Sequence, residues 1–520
     1  MAQEAGGGAG SRVAGQAAAA PVPAPAAVAA AGTDGAGEDP RRWLILAVVC
    51  LGQLMVVLDA TVVNIALPTA QHDLGFSNAD RQWVVTAYSL AFGGLLLLGG
   101  RLADLIGRKR MLIIGMVGFA LASALGGAAT DFAMLVIARA IQGAFGALLA
   151  PAALSTLTVT FTNPAERGKA FGVFGAIAGA GGAIGLLLGG ILTEYLSWRW
   201  CLYVNVVFSV VAVAAAVRLL RNDPRDSAVR LDGPGTVLVV AGLVGVVYGL
   251  SEAEIDGWGA PLTIGLLVGG AVLLAAFALT EQRVSHPLLP LRIVLNRVRG
   301  GSYLAIGLSA IGLFAIFLFL TYYLEEILRY SPVVTGVAFL PMITALIISS
   351  TSSSALLMPR VGPRILIPLG LVIATGGLVI LATQLSTTTS YAAVILPGLI
   401  VIGGGLGLVF SSAINAATFG TAAADAGVAS AMVNTCQQIG GSVGTALLNT
   451  IAASALSSYL VTHGHSPAAL ASAAVHSYVV AFWVAAAIFA AAAVICVLVL
   501  RPGVLSAGAS ADPAAVPAAA

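Results

Sequence analysis

Fourteen separate stretches of this chain are apolar for about 20 residues each, the length an α-helix needs to cross about 30 Å of hydrocarbon. They run near 43–67, 82–102, 111–128, 132–157, 170–193, 199–220, 234–251, 261–280, 301–324, 334–357, 365–384, 391–414, 428–452 and 478–500. Inside a bilayer no water is available to bond backbone N–H and C=O groups, so segments of this kind are satisfied as helices. The expectation is an all-α integral membrane protein.

Charge supports that reading. Of 520 residues, 24 are Lys or Arg and 22 are Asp or Glu, 9% in all, where a soluble domain carries about a quarter. The apolar share is 59% and the mean hydropathy +0.99, too high to clothe a water-facing surface. A net charge of +2 makes no case for nucleic acid, whose affinity comes from many clustered phosphate contacts. Cys50, Cys201, Cys436 and Cys496 all lie in apolar runs and read as small buried hydrophobes rather than disulfides or metal ligands. No G-x-x-x-x-G-K-[ST] stretch occurs, so no ATP-binding site is expected. Residues 1–40, rich in Ala, Gly and Pro, lack a signal-peptide pattern and read as a disordered tail, as do 501–520.

The basic residues fix an orientation. Arg12, Arg41, Arg42 and Arg501 lie in the tails, and sixteen more lie in alternate connections, from Arg101, Arg108, Lys109 and Arg110 to Arg360 and Arg364. Only Arg81, Arg199 and Arg329 lie in the other set, and Arg139 falls within a span. Lys and Arg collect on the cytoplasmic side, so both termini are expected there, with the chain multi-pass in the plasma membrane. A faint repeat, Gly181-Gly182-Ala183-Ile184-Gly185 against Gly440-Gly441-Ser442-Val443-Gly444, has an offset of 259 residues, and Gly107-Arg108 lies near Gly362 and Arg364 at about 255. The expected organisation is six helices over 41–220, two inserted helices over 221–300 and six helices over 301–500. Parallel repeats of this kind place a substrate path between the halves.

Asp59 and Arg139 are the two formally charged side chains deep in these spans. Each costs about 2.5–3.5 kcal/mol on insertion scales, so each needs a partner or a wet cavity. They read either as a structural ion pair or as a proton-coupling device, in which a carboxylate exchanges a proton and an Arg biases it. Arg139, Gln142, Gly143 and Gly146 share one helical stripe, expected to face other helices. Positions one repeat on are Leu399 and Ile400, so coupling is expected in the first half alone. Asn64, Tyr88 and Gln142 are candidates for the substrate cavity. Gly181, Gly185, Gly189 and Gly190 have the spacing of close helix packing and lack the strand-turn-helix context of a phosphate loop. Gly100, Asp104, Gly107, Arg108 and Lys109 form a charged turn, either an interfacial anchor or a latch in which Asp104 meets a neighbouring helix end. His463, His465 and His476, without a joining carboxylate or thiol, read as loop residues rather than a metal site.

Four of these stretches resemble the major facilitator superfamily, in its fourteen-helix drug:proton antiporter branch. Leu58 through Pro68 is similar to the first-helix signature. Gly100 through Arg110 is similar to the loop motif shared across the superfamily, with Leu105 where a basic residue is common. Arg139, Gln142, Gly143 and Ala147 match the fourth-helix motif, whose Arg the family implicates in proton coupling. Gly181 through Gly190 resembles the antiporter motif, with Leu186 where Pro is usual. Trp198-Arg199-Trp200 with Asn205 is similar to the opening of the sixth helix. The resemblance implies a 6+2+6 helix arrangement, alternating access, and no cofactor beyond a proton gradient. It implies proton-coupled export of hydrophobic or amphipathic drugs, antibiotics or secondary metabolites. The partners expected are a small-molecule substrate, protons and the lipid bilayer. A symporter or facilitator importing a small solute is the alternative. A membrane enzyme or receptor lacks, respectively, a catalytic cluster and a sizeable folded domain outside the membrane.

Overall fold

Helices form wherever the apolar runs stand, and most overrun them. The computed structural model describes residues 40–76, 78–221, 232–284, 287–422 and 425–500, and only the backbone of a few helical positions, among them Asn64 and Leu186. The proposed tails, 1–40 and 501–520, lie outside the described residues except for Pro40. The first half comprises α1 (Arg42–Leu74), α2 (Asn78–Ile106), α3 (Arg108–Gly127), α4 (Phe132–Thr160), α5 (Pro164–Tyr195) and α6 (Trp200–Leu219). Then come α7 (Gly233–Ile255), α8 (Pro261–Glu281) and a short α9 (Leu291–Leu295). The second half begins with α10 (Arg297–Tyr322). One span follows, broken into α11 (Pro332–Ala338), α12 (Leu340–Ser352) and α13 (Met358–Val361). The chain continues through α14 (Pro363–Gln384), α15 (Leu396–Thr418), α16 (Ala426–His463) and α17 (Pro467–Val499). Thirteen of these units, α11–α13 taken as one, have the length and hydropathy to cross a bilayer. α5, with 32 residues, has the length of a fourteenth. No strand occurs among the described residues.

Packing repeats between the halves. α1 lies on α5 and α6, and α10 lies on α16 and α17; α3 lies on α4 and α6, and α14 on α15 and α17; α2 pairs with α4 as α12 does with α15. The halves meet where α2 crosses α16 and α5 crosses α12. The inserted pair sits outside this seam, α7 against both α2 and α16, and α8 against α7. Gly107 (φ +104°) and Gly362 (φ +76°) make equivalent turns into α3 and α14. A side chain is strained at such positive φ, which accounts for glycine at both positions.

The last two helices correct the sequence reading. α16 runs to His463 and α17 begins at Pro467, so His463 and His476 are helical and only His465 lies in the loop. The ring of Tyr459 stacks on His463 at 4.0 Å and lies 5.2 Å from His476. Helix continues past the apolar run here because Ala-rich sequence has high intrinsic propensity. No group of three or more metal-binding side chains occurs among the described residues.

Candidate functional site

The stripe on α4 packs against α2. A Cβ at Gly143 would strike the backbone of Tyr88, and one at Gly146 would press on Phe92. This close approach brings Arg139 to α1, where its Nη1 donates to Asp59 Oδ2 at 2.5 Å and to Gln142 Oε1 at 2.6 Å. Its Nε donates to the Val84 carbonyl at 3.1 Å, and its guanidinium lies 4.3 Å from the centre of the Tyr88 ring. Asp59 Oδ1 accepts from Gln142 Nε2 at 2.6 Å and from Asn205 Nδ2 of α6 at 3.1 Å. Gln142 also donates to Ser123 of α3 at 2.7 Å. Asp59 and Arg139 are each 1% exposed.

Every one of those partners belongs to the first half, so the charges are neutralised inside a single six-helix bundle. The carboxylate has three donors, one of them the Arg139 cation, the surroundings that make its charged form tolerable in a dry site. Two atoms beside it lack partners, Asn205 Oδ1 and the Tyr88 hydroxyl. A void of about 10 Å³, lined by Arg139 with Val63, Ala66, Leu67, Val84, Leu135 and Trp198 among others, has barely room for one water. Tyr88 and Gln142, expected on a cavity wall, are instead buried at 4% and 1% as neighbours of the ion pair. The reason is rotational: they share the faces of α2 and α4 that approach α1. The Asn64 side chain is outside the described residues. Ser123 carries no signal in the sequence, while Asn205 enters there only through the likeness of Trp198-Arg199-Trp200 and Asn205 to the opening of the family's sixth helix.

The charged turn bridges the halves. Asp104 Oδ1 accepts from the Gly427 N–H at 2.9 Å, at the start of α16, where the exposed N–H groups and helix dipole favour an anion. Gly100 packs directly on Gly427 and Ala431. Arg108 stands 3.8 Å from Asp104, and Lys109 Nζ donates to the Val217 and Leu220 carbonyls at the end of α6, at 3.0 and 2.5 Å. Sequence reasoning missed Arg167, also buried, which donates to Asn415 Oδ1 at 3.2 Å and Thr418 Oγ1 at 3.0 Å on α15. Ser350 of α12 donates to the Gly172 carbonyl at 2.6 Å. These hydrogen bonds between described residues join the halves toward the end that carries Arg101 through Arg110.

On α5, Gly181 and Gly185 admit Val57 and Thr61 of α1, and Gly189 rests on Val62 and Ile65. Gly190 is buried too. Gly440 and Gly444 do the same on α16, meeting Gly307 and Ile311 of α10. At the opposite end Asp73, on the last turn of α1, accepts from Trp198 Nε1 at 3.0 Å and pairs with Arg199. The Trp198 and Arg199 donors hold its carboxyl below the usual carboxylate range.

Comparison with known proteins bears on this geometry. The sequence profile of the Major Facilitator Superfamily matches residues 49–445. The chain is 55% identical over 448 residues to the puromycin resistance protein pur8 of Streptomyces alboniger, covering 86% of this chain and 88% of that one. It is 39% identical over 431 residues to the cephamycin export protein CmcT of Amycolatopsis lactamdurans, covering 82% and 87%. In fold it is similar to the human organic anion transporter MFSD10, with a TM-score of 0.59 at 14% identity, covering 88% of this chain and all of that one.

Proposed function

Because the chain belongs to the Major Facilitator Superfamily, we propose that it is a proton-coupled exporter of antibiotics or related amphipathic compounds. It is a multi-pass membrane transporter, and the positive-inside pattern supports a reading with both termini and the Arg101–Arg110 end on the cytoplasmic side of the plasma membrane. The relatives' roles in puromycin resistance and cephamycin export point to cargo of antibiotic size, leaving the cell.

The observation that carries the coupling is the Asp59–Arg139 pair, buried wholly within the first half. In the mechanism that follows, a proton from the outside neutralises Asp59 and releases Arg139, which keeps its charge. The first half then repacks and the cytoplasmic seal at Asp104 and Arg167 parts, admitting cargo. Loss of the proton to the cytoplasm restores the pair and favours the sealed state, which is the one seen here. Energy comes from the proton gradient, with no cofactor and no ATP site in the chain. Gly100, Asp104, Gly107, Arg108 and Lys109 serve as the latch, and the glycines of α5 as the close contact on which α1 turns.

A growth-inhibition panel tests this. A pump-deficient bacterium expressing the chain should tolerate puromycin at several times the concentration that stops the empty host, and a protonophore should erase the difference. Protection that survives the protonophore would contradict proton coupling. Leu186, standing where the antiporter motif has Pro, is the one feature that favours an importing symporter, and sensitisation of the host instead of protection would select that reading.

A further inference from the structure

Between α14 and α17 the packing leaves a groove of about 240 Å³, lined by Pro368, Val372, Ala493, Val494, Val497 and Leu498. Its floor is low: Pro368 is buried and Ala493 is 5% exposed. Its rims stand out from the protein, with Val372 at 57%, Val494 at 60% and Leu498 at 74% exposed. The gap has a cause in the sequence. α14 turns its glycines to α15, where a Cβ at Gly370 or Gly377 would strike the carbonyl of Gly405 or Gly398, and leaves Pro368 and Val372 to meet α17. There α17 brings Ala493, whose single methyl does not fill the space.

The groove has a basic mouth. Arg364, Pro368 and Val372 follow at i, i+4 and i+8 and so stand in one row along α14, with Arg364 one turn beyond the groove. α14 opens at Pro363 and α17 closes at Val499, which puts this mouth at the end of the helices that carries Arg101 through Arg110. Arg360, on the short α13 just before, is exposed. Among the described residues no ion pair takes up Arg360 or Arg364.

Any apolar face turned to the bilayer is covered by lipid. This one is recessed and ends in guanidinium groups at headgroup level. A void forfeits the dispersion contacts of its lining, and a flexible hydrocarbon chain restores them. A guanidinium holds a phosphodiester through paired N–H donors, and basic pockets between spanning helices take anionic headgroups. A second copy of the chain fits less well, because a two-fold contact across this face would set Arg360 and Arg364 against their own duplicates.

We propose that the groove binds one anionic phospholipid, with an acyl chain lying on Pro368 and Ala493 and the phosphodiester held by Arg364, Arg360 standing beside it. Bound there, the lipid splints α14 to α17. The site stands on the fold and needs neither proton coupling nor export.

Native mass spectrometry of the purified full chain tests it, with phosphatidylglycerol and phosphatidylcholine of identical acyl chains titrated separately. The first phosphatidylglycerol should bind about fivefold tighter, the gain that one guanidinium brings near an anionic lipid surface. R364Q should abolish that preference and leave phosphatidylcholine binding unchanged, whereas R283Q, on the loop after α8, should retain it. A493L, which fills the floor, should weaken both lipids; should A493L fail to fold, R364Q decides alone. Equal binding of the two lipids by the native chain would overturn the proposal, as would a preference that survives in R364Q. Competition by glycerol 3-phosphate at the same concentration would show that a soluble anion is held without the groove, and a lipid-free dimer broken by A493L would give the groove to a second copy; either result overturns it.

Discussion

Asp59 has two incompatible tasks in this scheme: to hold a full charge beside Arg139, and to surrender it to a proton. The structure shows the charged state well served, by Arg139, Gln142 and Asn205. Removing one partner is therefore severe. Arg139→Ala leaves an uncompensated carboxylate and should cost about 3–5 kcal/mol, read as a large drop in the melting temperature of the purified protein. Asp59→Asn keeps shape and an oxygen that can accept from Arg139, so expression should survive with a smaller drop in melting temperature than Arg139→Ala, while coupling is lost. A contrast is offered by Asp73, whose carboxyl is depressed by Trp198 and Arg199. A depressed acid contributes stability that is present above its unfolded value, about 3.9, and is lost only as pH falls through the folded one. Asp73→Asn should thus lower the melting temperature by a similar amount at pH 5 and at pH 8; a loss confined to the alkaline side would contradict the assigned contacts.

Helices pack here by removing side chains rather than adding them, because lipid offers no hydrophobic reward for association. Gly185 receives Thr61, and Gly181 receives Val57, so Gly185→Leu should destabilise by about 1–3 kcal/mol through overpacking, measured as reduced thermal stability and yield. Gly441, which meets nothing within 4 Å, should accept Ala with little change. Much of this level was legible in the sequence, since span length, charge alternation and small-residue spacing follow from the bilayer itself. The glycine repeat was visible because its contacts repeat, Gly440 and Gly444 against α10 as Gly181 and Gly185 against α1. What stayed hidden was rotational. Tyr88 and Gln142 carry the polarity of a cavity wall, and nothing in their spacing tells an inward face from one turned toward α1. Arg167 was hidden for another reason: it precedes its apolar run and reads as an interfacial anchor until Asn415 and Thr418, about 250 residues away, fold against it.

Across the whole molecule, the link from Asp104 to Gly427 and those of Arg167 are, in the proposed scheme, what holds the cytoplasmic end shut. A hydrogen bond to a charged group contributes about 1.5–3 kcal/mol, enough to shift a two-state population by more than about tenfold. Asp104→Asn should accordingly open the cytoplasmic end more often, seen as faster labelling of a cysteine at Ala431 by an impermeant reagent applied from that side. Labelling no faster than in the parent would remove Asp104 from the seal. The central claim is that a proton on Asp59 drives antibiotic export. Its most direct test is accumulation of radiolabelled puromycin in inside-out vesicles on imposing an acid interior, compared between the native chain and Asp59→Asn. The account predicts accumulation that collapses with the gradient in the native chain and falls by more than about tenfold in the variant; equal, gradient-driven accumulation in both would contradict it.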